Sequence, residues 1–225
     1  MDTKKIAIVV NARLSSSRCP NKHIRDLGGT TLIDECLRKI DLLTGVQEKY
    51  LATGDELLIE KIKKYPSVEL LSRREESYAK GQVPFKIAFE HYNKVAASHI
   101  MIINPCQPFV PTQVYQDSID WFNGSSADGA ASVIKERNYF FFDDGRIANF
   151  DKSSRLCSVS GPAMLKCSHT FMFFNKQFFI NHDTLWSNTA GSPEPYIIPD
   201  NGLYDVDTEE NFLIASNMMR VIKNV

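Results

Sequence analysis

The feature that most constrains the fold is a short apolar strand that runs directly into a cationic, hydroxyl-rich loop. Residues 6–10 read IAIVV, which is typical of a strand buried on both faces. Residues 11–22 follow as NARLSSSRCPNK and carry three cations and three consecutive serines. Parallel α/β proteins build phosphate sites in this way, at the carboxyl edge of the sheet. We therefore predict a polyphosphate-binding loop after the first strand.

The first half of the chain alternates strand and helix signals. Strands are predicted at residues 6–10, 50–53, 68–71 and 100–103, and helices at residues 31–40, 57–65, 84–97 and 111–124. Thr31 and Asp34 have the spacing of a capping box. In a chain of 225 residues, 43% of them hydrophobic, this order predicts the α/β class. We expect a single domain with a mostly parallel, doubly wound, Rossmann-like sheet and ligands at the carboxyl ends of its strands.

The alternation stops near Asn138. Four aromatic residues at 139–142, the turn sequence DDG at 143–145 and the segment RIA at 146–148 predict a β-hairpin. Four adjacent aromatic rings cannot all face one core, so the hairpin favours contact with a second copy of the chain. Packing within the same chain is the alternative. We predict one domain over residues 1–225, with a dimerisation hairpin at about 138–165 and a homodimer.

Composition excludes several classes of partner. The formal net charge is −1, which provides no long-range attraction to nucleic acid or to an anionic membrane. The apolar stretch at residues 6–10 is too short for a signal peptide or a membrane span. The five cysteines are odd in number and lack C-x-x-C spacing, which favours reduced thiols and argues against a zinc site. A cytoplasmic location is expected.

The loop after the first strand has the groups needed to bind a triphosphate. Arg13, Arg18 and Lys22 can neutralise the phosphates, and Ser16, Ser17 and backbone N–H groups can cradle their oxygens. A solvated surface loop is the alternative, because most charged residues are exposed. The spacing matches neither a P-loop nor a dinucleotide-binding fingerprint. The position of the loop after a buried strand favours phosphate binding.

A second candidate feature is a pair of carboxylates near the end of the sequence. Residues 203–207 read as a short strand before a final helix at 208–222, so Asp205 and Asp207 would project from the same face. Two such carboxylates suit Mg²⁺, which also takes phosphate oxygens and water. The alternative is that Asp207 caps the final helix together with Glu210.

These motifs resemble the signature of cytidylyltransferases that activate sialic acid, related nonulosonic acids and Kdo as CMP-sugars. The matching pattern is A-R-x-x-S-x-R-x-P-x-K at residues 12–22, followed by L-x-G-x-x-L-I at residues 27–33. The resemblance continues through NPCQP at 104–108 and reaches DVDTEE at 205–210. It implies a nucleotidyltransferase fold that joins CTP to an acidic sugar, releases pyrophosphate and serves cell-surface polysaccharide synthesis.

The resemblance also implies roles for individual residues. Nucleotide binding is expected at Ala12, Arg13, Ser16, Arg18, Lys22 and Arg73. Catalysis is expected from Arg13, Arg18 and Lys22, which would hold the triphosphate and stabilise the departing pyrophosphate. Acceptor binding is expected at Asn104, Gln107 and Lys166, and Mg²⁺ binding at Asp205 and Asp207. Arg73 has an alternative interpretation as a surface charge in the sequence RREE.

The sequence departs from the family at three places that bear on the acceptor. Asn104 stands where the family has glutamine, and Val110 where it has arginine. Residues 166–169, KCSH, replace a family R-P-x-G stretch, so Lys166 offers a point charge instead of an arginine fork. Phe109 and residues 171–174 add apolar surface, which suits deoxy or acetamido groups. We predict a nonulosonic or Kdo-like acid as the acceptor, but not the commonest sialic acid.

Three other functions fit parts of the sequence. One is cytidylyl transfer to a different acidic small molecule. Another is a glycosyltransferase that consumes a nucleotide sugar, because residues 205–207 also form an Asp-x-Asp motif. The last is a nucleotide-binding module without catalysis. Pyrophosphate release from CTP in the presence of an acceptor distinguishes the first from the other two.

Overall fold

The computed structural model describes residues 4–78, 83–151, 153–154, 161–200 and 203–223. The strands are β1 (Ile6–Asn11), β2 (Glu48–Thr53), β3 (Glu69–Ser72), β4 (His99–Ile103), β5 (Ala130–Arg137), β6 (Ala163–Asn175) and β7 (Glu194–Ile197). The helices are α1 (Leu32–Leu42), α2 (Glu56–Ile62), α3 (Phe85–Ala88), α4 (Thr112–Gly124), α5 (Lys176–His182) and α6 (Glu209–Lys223). Short 3₁₀ turns cover Glu75–Tyr78 and Glu90–Lys94. No helix in the described ranges has the length and apolar character needed to cross a bilayer.

One seven-stranded sheet organises the molecule, with the strand order β3-β2-β1-β4-β6-β5-β7. Strand β6 is antiparallel to both of its neighbours, and every other adjacent pair is parallel. The predicted α/β class and mostly parallel sheet are therefore confirmed. β1 pairs with β2 on one side and with β4 on the other, so the loops that follow these three strands meet at one edge.

The core lies on both faces of the sheet, as the apolar β1 sequence predicts. Ile6, Ile8 and Val10 pack into the larger cluster with α1 and α4. Ala7 and Val9 face the opposite cluster, which contains Tyr92 and Phe179. This alternation follows from the period of two along a strand. The predicted capping box is also present, because Thr31 Oγ1 accepts a hydrogen bond from the Asp34 backbone N–H at 3.1 Å.

Two predicted elements are wrong in detail. The helix predicted over 84–97 is the single turn α3 followed by a 3₁₀ turn, because tertiary contacts draw the adjacent residues His91 and Tyr92 inward together. The strand predicted at 203–207 is irregular chain outside the sheet. In this segment the Val206 N–H donates to the Cys106 carbonyl at 2.9 Å. The segment is therefore bonded to the loop after β4 and not to the edge of a strand.

The aromatic segment after β5 forms the predicted turn. Phe141 and Ile147 make an antiparallel bridge, and Gly145 takes the left-handed conformation that the turn requires. Phe150 packs edge-on against Tyr139 and Phe141, so part of the aromatic surface is satisfied within the chain. The side chain of Phe141 is nevertheless 62% exposed. Its predicted role in dimerisation stays a prediction, and residues 152 and 155–160, Cys157 included, lie outside the described residues.

Candidate active site

The loop after β1 is held in a defined shape by backbone bonds and by one carboxylate. Ser16 and Asn21 donate their backbone N–H groups to the Leu14 carbonyl, at 2.8 and 3.2 Å. Leu14 N–H in turn donates to Asp55 Oδ2 at 3.0 Å. Asp55 follows β2, so the neighbouring strand end fixes the loop. We did not predict this positioning role for Asp55 from the sequence, although its place directly after a buried strand indicates a position at the ligand-binding edge.

An open cleft of about 290 Å³ lies at this edge of the sheet. We call it the cationic cleft; its walls are Asn11, Ala12, Arg13, Ser16, Arg18, Lys22, His23, Arg73, Asn104, Pro105 and Cys106. All six residues predicted to bind the nucleotide therefore line a single cleft. Arg73 reaches it from the chain after β3, where its backbone N–H bonds the Thr53 carbonyl at 3.1 Å.

Lys22 is more deeply buried than the three arginines of the cleft. It is buried, and Nζ donates to the Val206 carbonyl at 2.6 Å and to Asp207 Oδ1 at 3.3 Å. Burial alone would lower the pKa of Lys22, but contacts with the Cys106 thiol and with Asp207 hold it above the ordinary value. Burial raises the pKa of Cys106 itself to about 11, so this thiol stays protonated and is not a nucleophile.

The two predicted metal ligands lie beside the cationic cleft in different environments. Asp205 Oδ2 accepts a hydrogen bond from Asn104 Nδ2 at 3.1 Å, and its buried Oδ1 has no hydrogen-bond partner among the described residues. Burial and the neighbouring Asp207 both raise the pKa of Asp205. Asp207 is half exposed and forms ion pairs with Arg18 and Lys22, both at 3.3 Å.

An unpaired, buried carboxylate oxygen next to a second carboxylate fits a hard cation such as Mg²⁺. No cluster of three or more His, Cys, Asp or Glu side chains with metal-site geometry occurs in the described part of the chain. Any Mg²⁺ held by Asp205 and Asp207 would therefore complete its coordination with phosphate oxygens and water, which is its usual mode of binding.

The alternative role of Asp207 as a helix cap is wrong. Thr208 Oγ1 accepts from the Asn211 N–H at 3.2 Å, and Asn211 Oδ1 accepts from the Thr208 N–H at 3.1 Å. This reciprocal pair caps α6 without the Asp207 carboxylate or Glu210. The Asp207 side chain is thus available to the cleft.

A second cavity of about 430 Å³ adjoins the cationic cleft. We call it the apolar cavity; its walls are Asn11, Phe85, Phe89, Ile102, Ile103, Asn104, Pro105, His169, Phe171, Met172 and Leu185. Asn11, Asn104 and Pro105 belong to both walls, so the two compartments meet at the ends of β1 and β4. No Lys, Arg, Asp or Glu occurs among the described residues of this wall. The pair Phe85 and Phe89, four residues apart, was the sequence signal for it.

Gln107, one of the predicted acceptor ligands, lines neither compartment. Its Nε2 donates to the Ser168 carbonyl at 2.8 Å, and its Oε1 accepts from Thr170 Oγ1 at 2.7 Å. These bonds hold a bulge in β6, where the pairing register with β5 shifts near Ser132. His169 lies in the bulge with φ of 54°, a left-handed conformation that explains why glycine suits this position in the family.

Lys166 lies outside both compartments as well. The β6 bulge shifts the register, so residues 163–167 continue along β5 on exposed chain, and Lys166 Nζ pairs with Glu136 at 3.3 Å. Phe109 packs near Tyr204 instead of in the apolar cavity, and Val110 is buried in the main core. Of the three predicted acceptor ligands, only Asn104 lines the cationic cleft and the apolar cavity.

Comparison with known proteins places this geometry in context. A family model described as cytidylyltransferase matches residues 7–186. A search of curated proteins found no significant match. CMP:2-keto-3-deoxy-manno-octonic acid synthetase, solved with CTP, superposes with a TM-score of 0.70 at 15% identity, covering 98% of this chain and 100% of that chain. The 4-diphosphocytidyl-2C-methyl-D-erythritol synthase from Anaerococcus prevotii DSM 20548 gives 0.66 at 12% identity, with 96% of each chain covered. At these identities the two structures show the fold alone.

Proposed function

Because the chain belongs to the cytidylyltransferase family, we propose that it transfers CMP from CTP to an acidic sugar and releases pyrophosphate. The observation that carries this proposal is the cationic cleft, which is lined by Arg13, Arg18, Lys22 and Arg73 and is flanked by two carboxylates, Asp207 paired with Arg18 and Lys22 and Asp205 bonded to Asn104. A bound polyanion would neutralise the cations of this cleft, and a divalent cation would neutralise the two carboxylates beside it. An Asp-x-Asp glycosyltransferase is disfavoured by the family match over residues 7–186.

The chemistry in such a cleft is largely positioning and charge neutralisation. The acceptor hydroxyl oxygen forms a bond to the α-phosphorus while the bond to the bridging oxygen breaks. The electron pair leaves with pyrophosphate, and the hydroxyl proton passes to solvent. Arg13, Arg18 and Lys22 neutralise the phosphates and the departing pyrophosphate. Mg²⁺ held by Asp205 and Asp207 would supply Lewis acidity at the phosphate oxygens.

The cations of the loop differ in their freedom to follow the substrate. Lys22 is buried and anchored to the Val206 carbonyl, so it keeps Asp207 in place throughout. Arg18 is 65% exposed in its side chain, and its ion pair with Asp207 is open to solvent. A triphosphate entering the cleft can therefore draw Arg18 from Asp207, because solvent-exposed ion pairs contribute little. This exchange would free Asp207 for a cation.

The apolar cavity supports an acceptor with one apolar flank. Since no cation lies in its described wall, a sugar carboxylate would contact the cationic cleft, and deoxy or acetamido groups would enter the cavity. Phe171 and Met172 line this cavity, although Phe171 is otherwise buried in the core, whereas Phe173 and Phe174 do not line it. We therefore keep a nonulosonic or Kdo-like acid as the proposed acceptor, with ordinary sialic acid a poorer one.

A panel that measures pyrophosphate release tests the proposal. CTP, UTP, ATP and GTP are each mixed with Mg²⁺ and one acceptor: Kdo, N-acetylneuraminic acid, a deoxy nonulosonic acid or 2C-methyl-D-erythritol 4-phosphate. We expect turnover with CTP, abolished by EDTA, and the highest kcat/KM with a deoxy acid. The highest kcat/KM with the phosphorylated polyol would contradict the acidic-sugar proposal while leaving cytidylyl transfer in place. No pyrophosphate with any pair would contradict both.

A further inference from the structure

A buried hydrogen-bond network lies beneath the junction of the cationic cleft and the apolar cavity. Asn11 Oδ1 lies 3.0 Å from His91 Nε2, and Asn11 Nδ2 donates to the Tyr92 hydroxyl at 2.7 Å. His91 and Tyr92 are both fully buried in the 3₁₀ turn that follows α3. The mechanism described above uses none of these three side chains. The hydrogen bonds of such a buried network hold its side chains in one fixed orientation.

The network fixes the direction of the Asn11 amide. Burial lowers the pKa of His91 to about 3, so the ring is neutral at physiological pH. His91 Nδ1 has no partner among the described residues, and a buried unpaired acceptor is tolerated better than a buried unpaired N–H. The ring proton is therefore assigned to Nε2, which donates to Asn11 Oδ1. The Asn11 nitrogen then points toward Tyr92, and its second N–H has no acceptor within the described chain.

The position of Asn11 identifies the group that this second N–H meets. Asn11 is one of three residues common to the two compartments, together with Asn104 and Pro105. In a transfer from CTP to an acceptor, the α-phosphoryl group must lie where the triphosphate and the acceptor meet. Proline carries no N–H, and Asn104, on the β4 side, has its amide turned toward the Asp205 carboxylate by the bond from its Nδ2 and by the Cys106 N–H on its oxygen. Asn11 is thus the fixed donor on the β1 side of the junction.

We propose that Asn11 is a catalytic residue that donates a hydrogen bond to a non-bridging oxygen of the CTP α-phosphoryl group, with His91 and Tyr92 as positioning residues. This inference rests on the proposed function. A neutral donor that is oriented before the substrate arrives stabilises the phosphoryl oxygens without reorganisation during bond exchange. Asn11 gains and loses no proton in the step.

Kinetics of matched variants test the positioning role. Asn11→Asp keeps the shape and the acceptor for His91 but removes the donor, so kcat should fall by roughly 100-fold or more. His91→Phe removes the bond to Asn11 and should lower kcat about tenfold, whereas His91→Gln restores a donor and should recover most of it. The control is His99→Gln, because His99 is also buried but bonds Asp128 and lines neither compartment. Loss of thermal stability without loss of kcat in His91→Phe would show that the network is only structural.

A second measurement needs no turnover. The side-chain amide signals of Asn11, assigned by their absence in Asn11→Asp, are followed by NMR while α,β-methylene-CTP and Mg²⁺ are added to the wild-type protein. We expect one of the two N–H protons to shift strongly downfield. A bound analogue that leaves both protons unmoved would overturn the inference alone. A shift without pyrophosphate release from any acceptor would overturn the proposed acceptor chemistry and support Asn11 as a phosphoryl ligand, and failure of the analogue to bind would overturn both.

Discussion

At the scale of single residues, the two aspartates of the cationic cleft have opposite effects on the free protein. Asp205 is half-buried with one buried, unpaired oxygen, and burial together with Asp207 raises its pKa. Asp207 is half exposed and paired with two cations. A carboxylate that keeps one buried oxygen unpaired beside a second carboxylate destabilises the folded state, whereas one paired with two cations does not. Because the two carboxylates differ in this way, substituting each of them separates the effect on activity from the effect on stability.

We predict that Asp205→Asn raises the Tm of the ligand-free protein and lowers kcat by roughly 100-fold, as expected for a lost metal ligand. A carboxyl whose pKa is raised on folding favours the folded state only when protonated, so its penalty is present above the folded pKa. The gain in Tm should therefore disappear below about pH 4, near the unfolded pKa. Thermal scans from about pH 3 to 8 and pyrophosphate-release assays measure the two effects.

Asp207→Asn is the matched comparison for this prediction. Because it leaves Lys22 buried with a weaker partner, its Tm should fall instead of rise. Equal Tm changes in the two variants would contradict the charge assignment. A Tm for Asp205→Asn below that of the wild type at pH 7 would show that Asp205 is a structural hydrogen-bond acceptor and not a strained ligand.

Arg18 and Lys22 should also respond differently to truncation. Arg18→Ala removes an exposed cation, so we expect an unchanged Tm and roughly tenfold weaker CTP binding, with CMP binding affected less. Lys22→Ala removes a buried amine and leaves the Val206 carbonyl without its donor, so both Tm and CTP affinity should fall. Calorimetric titration with CTP and CMP measures this. Equal losses for the two nucleotides in Arg18→Ala would place the guanidinium away from the terminal phosphates.

At the scale of elements, the bulge in β6 shapes the apolar cavity. Ser132 Oγ accepts from the backbone N–H groups of Thr170 and Phe171, both at 3.1 Å, and Gln107 bonds the other side of the bulge. Within this frame His169 takes a left-handed backbone conformation while lining the cavity. A histidine there carries strain that glycine would not.

We predict that His169→Gly raises stability by about 1 kcal/mol, which corresponds to a Tm increase of roughly 2–4 °C in a chain of this size. It should also change the acceptor preference, because it removes one side chain from the cavity wall. Asn188→Gly is the control, since Asn188 has φ of 55° and lines neither compartment. Thermal scans and the acceptor panel measure both effects. An unchanged preference would separate the bulge from acceptor recognition.

At the scale of the whole molecule, the aromatic turn after β5 is an apolar surface set apart from the site. Phe141, Phe142 and Ile147 are all about half exposed or more. Single exposed apolar residues need no explanation, but a contiguous group favours contact with another protein surface. The homodimer remains our proposal for the partner.

We predict that the wild-type chain elutes at twice its chain mass and that Phe141→Ser shifts it toward the monomer, because the substitution removes apolar area from the contact. Leu57→Ser is the matched control: Leu57 is 58% exposed, close to the 62% of Phe141, but lies on α2. Size-exclusion chromatography with light scattering over a range of concentrations measures the masses. A monomeric wild type, or an equal shift in Leu57→Ser, would contradict the role of the turn.

Local patterns were sufficient for much of this molecule. The apolar alternation of β1, the capping box at Thr31 and the order of strands and helices depend on neighbours in sequence, and they predicted the sheet and its ligand-binding edge. The loop at residues 12–22 lines the cationic cleft at the sheet edge that its place after β1 indicated. In these cases the relevant energy is local or follows directly from strand order.

Tertiary structure alone decided the rest. His91 and Tyr92 turn inward because both bond the Asn11 side chain. Asn11 precedes His91 by 80 residues, so no helical periodicity in the sequence reveals this contact. The register shift in β6 carries Lys166 away from the site, since one strand slip redirects every later side chain. The cationic cleft and the apolar cavity meet at a single wall because β1 and β4, separated in sequence, are hydrogen-bonded neighbours in the sheet. Contacts of this kind depend on distances in space, and these become defined only when the whole chain packs.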